Sequence, residues 1–389
     1  MSEAAEAAQR AEYAALNARC AANPREAANY AALLRRTPLA EKEVMLFNCA
    51  LYNHATLVRL LLADGLPPST VYLEKGNSTP LHVAAEHGAL DVLRLLLEAG
   101  ADANSCNCVR NTPLAEAVGE GQLPCARELI PRTDLRIFGV DGTNVLHASI
   151  IANQPECFKL LLPHFANNVD VRTVKQRPPG DPDRPYNQTP LHLACAGGHH
   201  AMVKALLAAG ASRTAHNNES ICSCLPFAAQ NGHLACVTLL IGRPENQKMS
   251  AAEIDARDAY GRTPLFTAAQ FGHRYCCAAL LAAGADPAVT TPAGITALDV
   301  AKHFHPDNQE LIELLECRGG GPALLLCAGC GASDKRLRAC SACGSAAFCS
   351  DACLAQFWRV HKAECKRIQA EKEVKNRSCI RKFEPTAAP

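Results

Sequence analysis

The sequence has almost no net charge: 39 Lys and Arg stand against 38 Asp and Glu, a formal +1 over 389 residues. So small an excess supplies no global field to draw the chain onto nucleic acid or an anionic membrane. Long apolar runs are missing too. No window approaches eighteen consecutive apolar residues, which argues against a membrane-spanning helix. The first residues, MSEAAEAAQRAEY, include acidic side chains where a secretory or mitochondrial leader would have none. Cysteine, by contrast, is plentiful at 21 residues, and seven of these fall in one run with metal-ligand spacing. Without a leader, that usage fits a reducing compartment better than a disulfide scaffold. With 48% apolar and 20% charged residues the composition is globular. The expectation is a soluble intracellular chain, cytoplasmic or also nuclear.

Most of the chain repeats itself. Thr79-Pro80-Leu81-His82 returns as Thr112-Pro113-Leu114, Thr143-Asn144-Val145-Leu146-His147, Thr189-Pro190-Leu191-His192 and Thr263-Pro264-Leu265, with degenerate copies near Leu46, Cys222 and Thr296. The intervals 79 to 112, 189 to 222 and 263 to 296 are each 33 residues. Each copy has a physical grammar. Thr79 caps a helix, and Pro80 occupies the first turn, where a missing N–H costs nothing. Leu81, Ala84 and Ala85 form the inward face, and Gly88 ends the helix in a left-handed turn. A second helix follows from Asp91 and closes at Gly100. A helix pair cannot bury its apolar face alone, so the copies must stack.

The period and the TPLH tetrapeptide resemble the ankyrin repeat over residues 45–316. The resemblance implies a mostly α solenoid of about eight repeats, with atypical end units and inserts near 166–186 and 243–257. The Pro-rich 177–185 stretch can hardly be helical. His82, His147 and His192 are expected to be structural residues at helix starts, and His199, His233 and His273 equally structural after helix-ending glycines. Residues 1–44 are Ala-rich and helix-prone, a cap or a loosely attached tail broken by Pro24 and Pro38. The pairs Cys106/Cys108, Cys222/Cys224 and Cys276/Cys277 are expected to be ordinary loop or buried thiols, not a further metal site.

After a linker at 317–326, the pattern C-x2-C-x9-C-x2-C-x5-C-x3-C-x7-H-x3-C runs through Cys327, Cys330, Cys340, Cys343, Cys349, Cys353, His361 and Cys365. Eight soft or borderline ligands in 39 residues divide into two tetrahedral sets, the chemistry of two structural zinc ions. So short a segment cannot build an adequate apolar core, so metal binding supplies much of its folding free energy, on the order of 10 kcal/mol per ion. With every coordination position held by protein, neither ion keeps the open position that hydrolysis requires. Lys335, Arg336, Arg338, Arg359, Lys362, Lys366 and Arg367 lie among or beside the ligands, and their plausible role is to offset the excess thiolate charge.

The order, the spacing and the run Phe348-Cys349-Ser350, Cys353, Phe357-Trp358, His361-Lys362 and Cys365 are similar to the MYND zinc finger. That resemblance, and not the spacing, implies interleaved pairs: Cys327, Cys330, Cys349 and Cys353 on one ion, Cys340, Cys343, His361 and Cys365 on the other. It also implies a groove for proline-containing peptides, with Trp358 and Phe348 as peptide-binding residues. Many members of the family carry Gln after the sixth ligand. This chain has Leu354, which removes a side-chain hydrogen bond to peptide backbone and weakens that expectation. The basic tail, 366–389, reads as a solvated end.

Two interaction modules with no catalytic constellation between them suggest a non-enzymatic adaptor, a monomer whose solenoid holds one protein and whose finger holds another. A corepressor acting through protein contacts is the alternative. A lysine methyltransferase would need a catalytic domain, and the 24 residues after Cys365 leave no room for one.

Overall fold

The computed structural model describes residues 3–72, 76–174, 187–215, 223–242, 249–316, 338–339 and 347–348. The chain divides into two compact units. Unit 1 comprises Met1–Ala194 and Ala205–Ala211, and unit 2 comprises Cys195–Lys204 and Ser212–Pro389.

Unit 1 opens with α1 (Glu3–Ala22), α2 (Pro24–Leu34), α3 (Leu39–Leu51) and α4 (Ala55–Ala63). Asn17 on α1 accepts hydrogen bonds from the backbone N–H groups of Thr56 (3.1 Å) and Leu57 (3.4 Å), satisfying first-turn donors of α4 that have no helical partner. Lys42 and Asp64 form a largely buried ion pair at 2.7 Å. Helix α3 begins six residues before the repeat boundary expected at 45, because Pro38 is extended and cannot continue a helix but can precede one.

Three further pairs follow: α5 (Pro80–Glu86) with α6 (Leu90–Glu98), α7 (Pro113–Gly119) with α8 (Leu123–Leu129), and α9 (Val145–Ile151) with α10 (Pro155–Leu161). Helices α5, α7 and α9 pack in sequence, and each also packs on its own partner. Their cause is visible in the residues. Leu81, Ala84 and Ala85 are fully buried, and Gly88 takes φ +71°, a conformation that costs glycine little and other residues more. In α6, Val92, Leu93 and Leu96 share the buried stripe, while Arg94 turns outward to Glu128 on α8 at 2.5 Å. That pair is half-exposed and adds little stability. The buried stripe contributes more, about 2 kcal/mol for each fully buried leucine.

The unit boundary runs through the pair α11 (Pro190–Ala196) and α12 (His200–Ala208). Unit 2 continues with α13 (Cys224–Gln230), α14 (Leu234–Ile241), α15 (Ala251–Ile254), α16 (Pro264–Gln270), α17 (Arg274–Ala282), α18 (Ala297–Phe304) and α19 (Gln309–Glu316). Helices α13, α16 and α18 pack in series, as do α14, α17 and α19. The short α15 lies in the second insert, started by a capping box between Ser250 and Glu253. Strands β1 (Arg338–Ala339) and β2 (Ala347–Phe348) pair antiparallel, Arg338 opposite Phe348.

Candidate functional site: repeat faces and zinc module

The repeat motif builds a polar clasp at the start of α5, α9 and α11. Thr79 Oγ1 and His82 Nδ1 are 2.8 Å apart, the Thr79 N–H donates to the same nitrogen, and His82 Nε2 faces the Asn111 carbonyl of the next repeat at 3.0 Å. That carbonyl can only accept, so Nε2 carries the proton and Nδ1 is the acceptor. His147 repeats the arrangement, with Nε2 3.1 Å from the Val171 carbonyl. Here the cap is Asn144, not Thr143, whose hydroxyl turns to Asp141 at 2.8 Å. His192 sits 2.8 Å from Thr189 Oγ1. Burial pushes His82 below its usual value and His147 down to about 4, so both rings are neutral at physiological pH. These imidazoles are 0–1% exposed and already hydrogen-bonded, which suits them to holding helices and not to chemistry.

The thiols follow the same logic. Cys276 and Cys277 are buried in α17 and Cys224 in α13, and Cys106 and Cys108 are exposed on the loop before α7. Cys222 lies outside the described residues. Burial pushes Cys125 up to about 11 and Cys276 up to about 12, so these groups stay as neutral thiols. Among the described residues no group of three or more His, Cys, Asp or Glu is placed to share a metal ion. No helix among them is long and apolar enough to cross a membrane.

Exposed apolar side chains collect at loops and helix ends. In unit 1, Val109 and Val140 are exposed on successive loops that bond to each other, Val140 N–H donating to the Val109 carbonyl at 3.0 Å. Unit 2 instead exposes aromatics: Tyr260, under the Arg262 guanidinium at 4.8 Å, and Phe271 and Phe304 at the ends of α16 and α18. Sequence reasoning did not single these residues out. The available signal was an apolar residue at a position where the repeat's burial pattern asks for none.

The eight expected metal ligands and Trp358 lie outside the described residues. Phe348, the other expected peptide contact, is in β2 opposite Arg338. The donor set, seven thiols and one imidazole, fits zinc by its softness.

Family models match along the chain: ankyrin repeats (many copies) at 61–117, ankyrin repeats (3 copies) at 99–175, 166–251 and 225–321, and the MYND finger at 327–365. Among curated proteins, "Ankyrin repeat protein nuc-2" of Neurospora crassa is 31% identical over 255 residues, 64% of this chain and 22% of that protein. "Ankyrin repeat and KH domain-containing protein mask-1" of Caenorhabditis elegans is 28% identical over 283 residues, 72% of this chain and 8% of that one. The chain thus matches well under two thirds of the length of either relative. The solved ankyrin repeat domain of human ASB11 is similar with a TM-score of 0.43 and 22% identity, covering 71% of this chain and 98% of that one. The repeats with their clasps, and the finger motif that follows them, make this chain a member of the ankyrin-repeat family that ends in a zinc-binding MYND finger.

Proposed function

We propose that the chain is a two-ended adaptor without catalytic activity of its own, acting as a monomer in the cytoplasm or nucleus. The ankyrin repeats hold one protein and the MYND finger another. The observation that carries this is the joining of two modules of interaction architecture in one chain. The exposed Val109 and Val140 in unit 1, and Tyr260, Phe271 and Phe304 in unit 2, support it as contact residues.

The finger holds two structural zinc ions through the interleaved sets given above. Trp358 and Phe348 supply the peptide contacts, and Leu354, where many family members carry Gln, leaves out a side-chain hydrogen bond to peptide backbone. Zinc here supplies folding free energy and no reaction step.

The test is affinity capture with three baits: the intact chain, the chain ended before Cys327, and Trp358→Ala. One partner set lost with both alterations, while another persists, is the expected result. Indistinguishable partner lists would remove the finger from the adaptor reading. Catalytic turnover that depends on a named residue would overturn that reading as a whole.

A further inference from the structure

One helix of unit 1 is capped by a side chain with more polar atoms than a cap needs. Thr79, Thr112 and Thr263 stand before α5, α7 and α16, whereas Asn144 stands before α9. The backbone N–H groups of Leu146 and His147 both donate to one side-chain atom of Asn144, each at 3.1 Å. An atom that accepts twice is the carbonyl oxygen Oδ1, so the orientation of the amide is fixed. The amino group Nδ2 is left over. It has no hydrogen-bond partner among the described residues, although Asn144 is only 3% exposed. A buried donor of this kind calls for an acceptor.

Asn144 borders a small cleft of ≈ 20 Å³ between the starts of α7 and α9 and the loops that precede them. The space suits the tip of one polar side chain. An acceptor stands beside it. Asn111 Nδ2 donates to Glu116 at 3.2 Å, which turns Asn111 Oδ1 the other way, and Asn111 also borders the cleft. A Cβ placed on Gly139, another bordering residue, would lie 3.3 Å from that oxygen and 3.0 Å from Asp141 Oδ1, so the bare glycine leaves both uncovered. Asp141 Oδ1 already takes the N–H and the hydroxyl of Thr143. Asn111 Oδ1 is therefore the acceptor with capacity to spare. Charge is balanced against an anion: Arg110 borders the cleft, but Glu116 and Asp141 set two carboxylates beside that one cation. Next to Arg110 and Gly139 in the chain, Val109 and Val140 are exposed and held together by the Val140 N–H on the Val109 carbonyl, an apolar surface beside the cleft.

We propose that this cleft recognises a side-chain carboxamide: a glutamine of a partner protein, flanked by apolar residues. The glutamine carbonyl accepts from Asn144 Nδ2, its amino group donates to Asn111 Oδ1, and the flanking residues lie on Val109 and Val140. A glutamate of the same shape has no donor for Asn111 and meets Glu116 and Asp141. A methionine leaves both asparagines unpaired. A site built from one donor and one acceptor rejects both for that reason. The inference rests on the reading of the repeats as a module that holds a protein, and it names a side chain that module reads.

Titration of the zinc-loaded full chain with acetyl-Val-Gln-Val-N-methylamide and its Glu and Met counterparts tests it, followed by the NMR signals of the Asn144 side-chain amide. Those signals are identified by their loss in the variants below. The Gln peptide is expected to move them and to bind about tenfold more tightly than either counterpart, the effect of one hydrogen-bonded pair. Asn144→Thr, which supplies the cap that Thr112 gives α7, is expected to bind the three peptides alike. Asn144→Asp also caps but donates nothing, is expected to lose the preference too, and decides the matter if the threonine variant fails to fold. Signals that no peptide moves would mean that water alone fills the cleft. That result, equal binding of the three peptides by the native chain, or an undiminished preference in a folded variant would each overturn the proposal. A repeat-dependent partner set that persists in affinity capture while the peptides fail would leave the adaptor reading standing without this site.

Discussion

Units 1 and 2 are built from the same helix pairs but put their histidines in different places. Unit 1 places His82, His147 and His192 at the start of the first helix, buried beside the cap. In unit 2 the corresponding residues are Pro226, Phe266 and Asp299, and histidine appears instead where one repeat clasps the last. The backbone geometry tolerates either choice because each position asks only for a group that satisfies a free helix end. What differs is burial: the cap imidazoles of unit 1 are sealed, whereas those at the repeat junctions of unit 2 are half-buried.

The core should not distinguish the units. Leu93→Ala in unit 1 and Leu280→Ala in unit 2, both fully buried, are each expected to cost 2–5 kcal/mol, measured by denaturant unfolding followed by circular dichroism. A large difference between them would mean that the units differ in packing as well as in histidine placement.

Acid should act on unit 1 through a sealed ring. His147 falls to about 4 in the folded state from the ordinary 6.5, so its stabilisation is complete above 6.5 and is lost as pH falls towards 4. Over that range unit 1 is expected to lose about 3 kcal/mol. His147→Phe, which borrows the residue of Phe266, should flatten that slope while leaving the Val171 carbonyl unpaired at a cost of about 1–3 kcal/mol at pH 8. Chemical denaturation across pH would show both, and a slope unchanged by the substitution would assign the acid response to another group.

A smaller effect is expected at the caps. Thr112 and Thr263 accept hydrogen bonds from Ala115 and Phe266, so Thr112→Ala and Thr263→Ala should cost about 1 kcal/mol apiece in thermal melts. Equal losses would show that the cap works the same way in both units.

The smallest effect concerns metal. A zinc chelator should release two ions per chain and unfold the finger, yet leave the helical signal and melting of residues 3–316 unchanged. Collapse of either unit on chelation would show that the repeats depend on the finger.

Much of the repeat architecture was legible because its signals are local. Thr-Pro-Leu marks a helix start wherever it occurs, and Thr79, Thr112 and Thr263 stand at those starts. The legibility failed where two candidates stood side by side: Thr143 and Asn144 are both good caps, and only the helix start at Val145 chose between them. Pro24 and Pro38 do divide the N-terminal segment, as expected, and each stands at the start of the helix that follows it. For the finger, spacing named ligand types and number but left their pairing to resemblance.

The sequence by itself determined the repeat, its period, the burial of its leucines and alanines and the presence of a thiol-rich metal module, because each is set by residue type at fixed local spacing. Only the tertiary structure decided which carbonyl each histidine faces, and that Gln122 and Gln154 of unit 1 reach the carbonyls of Glu86 and Gly119 as His233 and His273 of unit 2 reach those of Ala196 and Gln230. Those depend on distances of about 3 Å between residues 24 to 43 apart, which stacking brings together and no local pattern records.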